Sequence, residues 1–294
     1  MHADELPVDV ALARALLEDQ FPEWADLQLE RVASFGTDNA LFRLGGDMVV
    51  RLPRIEWATR DIEKDARWLE QLRPLLPVEI PQLLATGTPG EGYPWTWGIY
   101  RWLDGENPVV GAIARPKELA RDIGRFAAAV RRLRLRDTRP GSRAGPLLER
   151  DAEVRRAIGE VADEFDALAV EAKWDDSLEA APWDGPPVWT HGDLLRGNLL
   201  LREGRLAAVI DWSLLGVGDP ACDAIVAWSV LPEETRADFR RQAGFDEAAW
   251  ARGRGWALCC GLLQIPYYTD TNPELADNGR HIVREILRET NIRS

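Results

Sequence analysis

The hydrophobic and polar positions of the chain follow a two-residue period in its first third and a helical period afterwards. Alternation of apolar and polar residues between turn-forming residues is typical of half-buried strands. It predicts five strands in the first third, at residues 27–34, 40–45, 47–53, 81–87 and 95–103. The sequence Gly45-Gly46-Asp47 separates the second and third of these stretches and therefore predicts a hairpin turn.

Helical periodicity flanks these strands and dominates the rest of the chain. It predicts a helix at residues 8–19 and a second helix at 56–72, which Pro74 ends. Beyond Gly105 the helical pattern continues to the C-terminus, and strand signals vanish except in a predicted hairpin at 197–211.

The change of period near residue 101 predicts two lobes. We expect a small N-terminal lobe with an antiparallel sheet at residues 1–100, a hinge at 101–105, and a larger helical lobe at 106–294. The predicted fold class is therefore α+β.

Charge and composition narrow the classes of function. The formal charge of −13 argues against general nucleic-acid binding, which depends on a basic surface, and is compatible with cationic partners. No apolar run approaches the roughly 18 to 20 residues of a membrane span, and the acidic N-terminus differs from a signal peptide. We therefore expect a cytoplasmic protein that binds neither nucleic acid nor membranes. The three cysteines show no CxxC spacing and are expected to be core thiols.

The predicted hairpin gathers polar groups beside apolar runs. If Glu203 and Gly204 form its two-residue turn, Asn198 faces Val209 and shares one face of the hairpin with Asp211. An amide oxygen and a carboxylate on one face suit a hard cation such as Mg²⁺. A further carboxylate, Asp193, lies in the loop that leads into the hairpin.

The order of these residues matches that of a phosphoryl-transfer site. A protein-kinase catalytic loop has an aspartate, four further residues and an asparagine, followed by a metal-binding aspartate in a later motif. The stretches "HGDLLRGN" and "VIDW" follow this order. We therefore predict that Asp193 orients the attacking hydroxyl and accepts its proton, and that Asn198 and Asp211 bind Mg²⁺.

At this point the sequence resembles the aminoglycoside phosphotransferase family of bacterial small-molecule kinases. The resemblance is carried by "THGDLLRGNLL", "LAAVIDW" and "GVGDPACD", and spans residues from about 30 to 285. It implies a protein-kinase-like two-lobe fold, with Asp193 as the catalytic base and Asn198 and Asp211 as Mg²⁺ ligands.

The resemblance also implies structural roles for three residues. His191 would hold the loop by hydrogen bonding, and Asp219 and Asp223 would be structural aspartates. For Asp219 a helix N-cap followed by Pro220 is an equally good explanation.

A nucleotide phosphate needs a tight loop in the N-terminal lobe. The stretch "SFGTDN" between the first two predicted strands is short and small enough, and predicts nucleotide contacts from four residues: Ser34, Gly36, Thr37 and Asn39. The segment around Arg101 and Leu103 resembles the family hinge, whose backbone groups contact the base of ATP or GTP.

A cation and an acid are expected to complete the nucleotide site. Arg51 stands where a kinase lysine would, and its guanidinium can bind phosphate oxygens. The acid expected on the following helix is Asp65, with Glu63 as a second choice, although Asp65 could instead be one charge on a solvated helix face.

The acceptor is the least constrained part of the prediction. The resemblance implies a hydroxyl of an aminoglycoside-like antibiotic, with a macrolide or a choline-, homoserine- or sugar-like metabolite as alternatives, or a nucleotide-binding protein without activity. Residues 149–187 contain 12 acidic and 4 basic residues, which favours a cationic acceptor near Asp176 and Asp270, with Tyr267 or Tyr268 as a wall. The competing interpretation is that these carboxylates only keep the protein soluble.

Overall fold

The computed structural model describes residues 5–33, 38–135 and 139–289. These residues form two units, neither of which is continuous in sequence. The first unit comprises Met1–Glu106 and Ala207–Ser213, and the second comprises Asn107–Leu206 and Leu214–Ser294. The segment 207–213 thus belongs to the first unit, although the sequence pattern assigned it to the helical lobe.

The first unit is built on an antiparallel sheet. Its strands are β1 (Leu29–Arg31), β2 (Asn39–Leu44), β3 (Met48–Pro53), β4 (Leu83–Gly87) and β5 (Trp97–Arg101). They lie in the order β1-β2-β3-β5-β4, so that β3 is central, with Arg51 between Leu41 and Gly98. The five predicted strands and the turn at residues 45–47 are confirmed.

Two helices accompany this sheet, α1 (Val10–Gln20) and α2 (Thr59–Leu72). The first begins two residues later than predicted because the Asp9 side chain accepts a hydrogen bond from the Leu12 N–H and caps the helix there. The second follows a 3₁₀ turn at Glu56–Ala58. Its buried face includes two carboxylates, Asp61 and Asp65, among apolar residues.

The second unit is predominantly helical. Its helices are α3 (Pro116–Arg131), α4 (Asp151–Glu160), α5 (Ala167–Leu178), α6 (Val226–Ser229), α7 (Glu233–Ala243), α8 (Glu247–Tyr268) and α9 (Pro273–Arg288). All three cysteines are buried free thiols of this unit, as predicted. Together with the sheet of the first unit, these helices confirm the α+β class. In the described parts of the chain, no helix has the length and apolar character needed to span a membrane.

The predicted hairpin is present as β7 (Leu199–Arg202) and β8 (Arg205–Val209). Its turn residues Glu203 and Gly204 both have positive φ angles, of 54° and 74°. Two consecutive positive φ angles are the signature of the type I′ turn, whose twist matches that of the strands it joins.

Two further strands were not predicted, namely β6 (Val188–Thr190) and β9 (Gly216–Gly218). They pair antiparallel, with Val188 opposite Gly218 and Thr190 opposite Gly216. The prediction that strand signals vanish beyond Gly105 except in the hairpin is therefore wrong. Three-residue strands are too short to show a period of two, and the glycines of β9 carry no hydrophobic signal.

The sheet of the first unit depends on a cross-strand glycine. Gly87 lies opposite Trp97, which is fully buried and whose indole N–H donates to the Thr88 carbonyl oxygen at 3.1 Å. A methyl group on Gly87 would lie 2.0 Å from the Trp97 ring. The glycine therefore provides the space that the ring fills.

We expect Gly87→Ala to lower the free energy of unfolding by about 1–3 kcal/mol, because the overpacked ring must shift. Gly46→Ala is the matched control, since no atom lies within 4 Å of the position of its added methyl group. Urea denaturation followed by circular dichroism measures both. Equal stability of the two variants would contradict this packing argument.

Candidate active site

The candidate catalytic residue lies in the Asp193 loop, defined here as residues 191–198 between β6 and β7. The Asn198 amide group donates to the Asp193 carbonyl oxygen at 2.9 Å and to its carboxylate Oδ2 at 2.8 Å. These two bonds fix the asparagine amide and close the loop on itself. The structure therefore brings Asp193 and Asn198 together, as their spacing predicted.

The geometry predicted for Asn198 and Asp211 is different from the one observed. Asn198 lies in a 3₁₀ turn, Arg196–Asn198, before β7 begins, and Asp211 lies beyond the end of β8 with a positive φ of 59°. Neither residue has strand conformation. Alternation along strands therefore does not set their side-chain directions.

The other oxygen of the Asp193 carboxylate meets an arginine that the sequence did not indicate. Arg143 Nη1 contacts Asp193 Oδ1 and donates to the Gly192 carbonyl oxygen at 3.2 Å. Burial disfavours a charged guanidinium, but Cys260 and Asp193 raise the pKa of Arg143 above its ordinary value. Arg143 stands 50 residues from Asp193 in sequence, so no local spacing could have revealed the pair.

The beginning of the Asp193 loop is held by buried groups. The His191 and Gly192 N–H groups donate to the Asp223 carboxylate at 3.1 and 2.7 Å, and the Asp193 N–H donates to His191 Nδ1 at 3.3 Å. Gly192 has a φ of 80°, and a side chain there would meet the backbone of Leu214. His191 and Asp223 thus hold the loop, as the resemblance implied.

A further set of hydrogen bonds, donated by Asn107, holds the loop and was not predicted from the sequence. The Asn107 side-chain amide donates to the carbonyl oxygens of Arg196, Gly197 and Leu199, at 3.2, 3.0 and 2.9 Å. This amide holds the 3₁₀ turn that carries Asn198. An isolated asparagine in "GENPVV" carries no signal of such a contact.

Asp219 has both of the roles considered for it. Its side chain accepts from the Ala221 N–H at 3.0 Å and so caps the following 3₁₀ helix. It also forms a buried ion pair with Arg252, with contacts of 2.6 and 3.1 Å.

The first unit holds a separate charged cluster around Arg51. The Arg51 guanidinium contacts Asp65 at 3.1 Å and Asp61 at 3.4 Å, and the Tyr100 hydroxyl donates to Asp65 at 2.8 Å. Asp65 is buried and Glu63 is exposed, so Asp65 is the acid that pairs with Arg51 and is not a charge on a solvated face. Asp61 was not predicted, although its spacing of four residues from Asp65 places both on one face of α2.

The charged groups of this cluster shift one another's pKa values. Burial raises the pKa of Asp61 to about 6, an effect that Arg51 opposes and the nearby Asp211 carboxylate strengthens. The pKa of Arg51 is raised above its ordinary value despite burial, because Asp65, Tyr100, Asp211 and Asp61 surround it. Asp211, whose Oδ1 accepts from the Ser213 N–H at 3.2 Å, therefore belongs to the surroundings of Arg51.

The remaining predicted nucleotide residues are only partly described. Ser34, Gly36 and Thr37 lie outside the described residues. Asn39 is the first residue of β2 and is half-buried. Arg101 ends β5, and its N–H already donates to the Gln82 carbonyl oxygen at 2.9 Å, while Leu103 follows as a half-buried residue.

A cavity of about 540 Å³ lies in the second unit, between α4 and α8. The helix α8 presents an apolar and aromatic stripe, and α4 with the residue before it presents alternating charges. The lining residues are Arg143, Arg150, Glu153, Arg156, Glu160, Trp256, Cys259, Cys260, Leu263, Gln264, Pro266, Tyr267 and Tyr268. Of the predicted acceptor residues, Tyr267 and Tyr268 line this cavity, whereas Asp176 and Asp270 do not.

The stability of the Asp193 loop is expected to depend on the charge of Asp223. Burial raises the pKa of Asp223 to about 6, against the effect of its two N–H donors. Ionisation of this carboxylate therefore opposes folding. The contribution of Asp223 to wild-type stability should therefore fall as the pH rises from about 4 to about 6, by at most about 1.4 kcal/mol per pH unit.

Asp223→Asn removes this ionisation and weakens the hydrogen bonding to the loop. We expect the variant to be less stable than the wild type at about pH 4.5, and the deficit to shrink by about pH 6.5 because only the wild type loses stability through Asp223. Urea unfolding at the two pH values measures this deficit. A deficit that stays constant or grows would contradict the raised pKa.

Comparison with known proteins identifies the family of the chain. The model of the phosphotransferase enzyme family matches residues 29–256. A curated aminoglycoside 3'-phosphotransferase from Escherichia coli is 35% identical over 75 residues, which are 24% of this chain and 28% of that enzyme.

Solved structures extend the likeness to nearly the whole fold. The GDP complex of wild-type aminoglycoside 2'-phosphotransferase-IIIa has 16% identity and a TM-score of 0.73, and the match covers 95% of this chain and 99% of that one. Apo macrolide 2'-phosphotransferase MphH from Brachybacterium faecium has 21% identity and a TM-score of 0.63, with 97% and 99% covered. The family match spans most of the chain, and the chain therefore belongs to the phosphotransferase enzyme family.

Proposed function

We propose that the protein transfers the γ-phosphoryl group of ATP or GTP to a hydroxyl of a small molecule, with aminoglycoside-like antibiotics as the first acceptor class. The observation that carries this proposal is the closed Asp193 loop, in which Asn198 and Arg143 hold both oxygens of one carboxylate. Family membership and the likeness to an aminoglycoside kinase solved with GDP support it.

In the proposed reaction Asp193 orients the acceptor hydroxyl and takes up its proton as the oxygen bonds to the γ-phosphorus and the nucleoside diphosphate leaves. Phosphoryl transfer depends mostly on positioning and on neutralising charge, so a single well-held carboxylate suffices on the acceptor side. Arg51, fixed by Asp61 and Asp65, keeps N–H donors that can bind phosphate oxygens.

The side chains proposed as Mg²⁺ ligands fit a hard cation. The Asn198 amide nitrogen is engaged by Asp193, which leaves its oxygen as the ligand atom, and Asp211 contributes a carboxylate. Among the residues the structure describes, no three His, Cys, Asp or Glu side chains form a metal cluster on their own. Asn198 and Asp211 would hold Mg²⁺, which would neutralise phosphate charge when bound.

The nucleotide contacts proposed from the sequence complete this assignment. We assign the phosphate loop to Ser34, Gly36, Thr37 and Asn39 and the base contacts to the backbone around Arg101 and Leu103. The Arg101 N–H is used within the sheet, so that group is not available for the base.

The cavity between α4 and α8 is the proposed acceptor site. For an aminoglycoside-like acceptor, its ammonium groups would meet Glu153 and Glu160, because these carboxylates line the cavity and Asp176 and Asp270 do not. Tyr267 is 54% exposed and packs edge to face on Tyr268 at 4.7 Å, which makes it suitable as a wall.

A macrolide-like acceptor is the second candidate, and the charge of the cavity favours it. Three arginines line the cavity against two glutamates, opposite the apolar stripe of α8. Arg150 pairs with Glu153 at 3.2 Å and Arg156 with Glu160 at 3.6 Å, so few carboxylate charges are left for a polycation. A bulky acceptor with one apolar face would fit this lining.

The test of the proposed function is a phosphorylation screen with ATP and with GTP over aminoglycosides, macrolides, choline, homoserine and sugars. Transfer to a hydroxyl, detected by mass spectrometry, is the expected result. Affinity for a polycationic acceptor should fall as salt rises, whereas affinity for a weakly charged one should change little. Nucleotide binding without transfer to any acceptor would instead support a binding protein without activity.

Asp193→Asn should reduce kcat by about 10²-fold to 10⁴-fold while the folded variant still binds nucleotide, because the lost interaction acts on the transferred proton. Steady-state kinetics with the acceptor found in the screen measure the change. Near-normal turnover of the folded variant would remove Asp193 from the mechanism.

Asp211→Asn and Asn198→Ala should each weaken binding of the Mg²⁺-nucleotide, and Asp211→Asn should have the larger effect because it removes a full charge from the ion. Isothermal titration with and without Mg²⁺ separates the metal-dependent part. Wild-type affinity of Asp211→Asn in the presence of Mg²⁺ would refute its assignment as a ligand.

A further inference from the structure

One segment of the second unit lies along β9 and carries the arginine that contacts Asp193. This strap segment, residues 139–144, is joined by three backbone hydrogen bonds to β9 and to the residue that follows it. They run from the Gly141 N–H to the Val217 oxygen at 3.0 Å, from the Val217 N–H to the Arg139 oxygen at 2.8 Å, and from the Asp219 N–H to the Ala144 oxygen at 2.8 Å. These three bonds hold the strap segment beside β9.

Two glycines allow this close approach. A methyl group on Gly216 would lie 2.4 Å from the Gly141 Cα, and one on Gly218 would lie 2.2 Å from the Ala144 oxygen. No side chain is accommodated at these distances. The glycines of "GVGDPACD" thus leave the space in which the strap segment packs against β9.

The strap segment carries Arg143, which contacts the Asp193 loop and also lines the proposed acceptor cavity. Its guanidinium contacts Asp193 Oδ1 and the Gly192 oxygen, and the same side chain lines the proposed acceptor cavity. Asn198 holds the other carboxylate oxygen of Asp193. With one donor on each oxygen, the plane of the carboxylate is fixed.

We propose that Arg143 is a positioning residue that sets the orientation of the Asp193 carboxylate toward a hydroxyl arriving from the cavity. This inference rests on the proposed function. Each carboxylate oxygen has two acceptor positions, so Arg143 and Asn198 each take one and leave the others for the hydroxyl. Arg143 acts through Asp193 and takes no part in the proton transfer.

Arg143→Met tests the proposal because it keeps most of the side-chain length and removes the charge and donors. We expect kcat to fall by about 10²-fold, as for a displaced catalytic group, with the KM for nucleotide unchanged. Arg143→Lys should recover part of kcat, and added ethylguanidinium should raise the kcat of Arg143→Ala. The matched control is Arg241→Met, which removes an exposed arginine that pairs with Asp238 and should behave as wild type.

Gly216→Ala provides an independent route to the same effect, since it retains Arg143 but pushes the strap segment away. If both changes act through the orientation of Asp193, their effects on kcat should not add in the double variant. Wild-type kcat in Arg143→Met would overturn the proposal. Additive losses of kcat in the double variant, together with no recovery of kcat by Arg143→Lys or by added ethylguanidinium, would also overturn it.

A crystal structure of Arg143→Met separates this inference from the proposed function. We expect the Asp193 carboxylate to rotate and its bond to the Asn198 amide to be lost or lengthened. An unmoved carboxylate would overturn the positioning role even if the wild type transfers phosphate. Conversely, a rotated carboxylate in a protein that phosphorylates no acceptor would support the positioning role while the proposed function fails.

Discussion

The candidate site of the second unit depends on two hydrogen bonds that a buried carboxylate accepts from adjacent backbone N–H groups. Asp223 receives the N–H groups of His191 and Gly192, and so fixes the direction in which the chain enters the Asp193 loop. Burying a carboxylate is unfavourable, and the two donors offset part of that cost. Asn107 and Asn198 act on a loop whose starting point is already set.

The sequence was sufficient for the parts of the site whose members are close along the chain. The spacing of Asp193 and Asn198 predicted a loop that their hydrogen bonds close, and the spacing of Arg51 and Asp65 predicted an observed ion pair. The antiparallel strands of the first unit were also predictable, because their alternation is long enough to be recognised.

The remainder depends on contacts between distant segments. Arg143 reaches Asp193 only because the strap segment packs on two glycines of β9, and a three-residue strand of this composition has no periodic signal. Asn198 and Asp211 lie outside the strands that flank them, so strand alternation does not set the directions of their side chains.

The net negative charge of the chain is not found among the residues that line the cavity. The protein carries a formal charge of −13, yet each arginine of the cavity contacts a carboxylate and the arginines outnumber the glutamates of the lining. Such paired charges produce little long-range attraction. Selection of a ligand there would come from hydrogen-bond geometry and from contact with the aromatic stripe of α8, and less from electrostatic steering.

Because residues 207–213 belong to the first unit, the two units cannot be separated by a single cut in the sequence. The Glu79 N–H donates to the Ala207 oxygen and the Val209 N–H donates to the Glu79 oxygen, both at 3.0 Å, so this short piece supplies backbone partners to a segment encoded far upstream. A gene cut after residue 106 would leave those partners on the other fragment. The first unit therefore cannot be exchanged as one continuous segment. Recombination between relatives would have to transfer both pieces together.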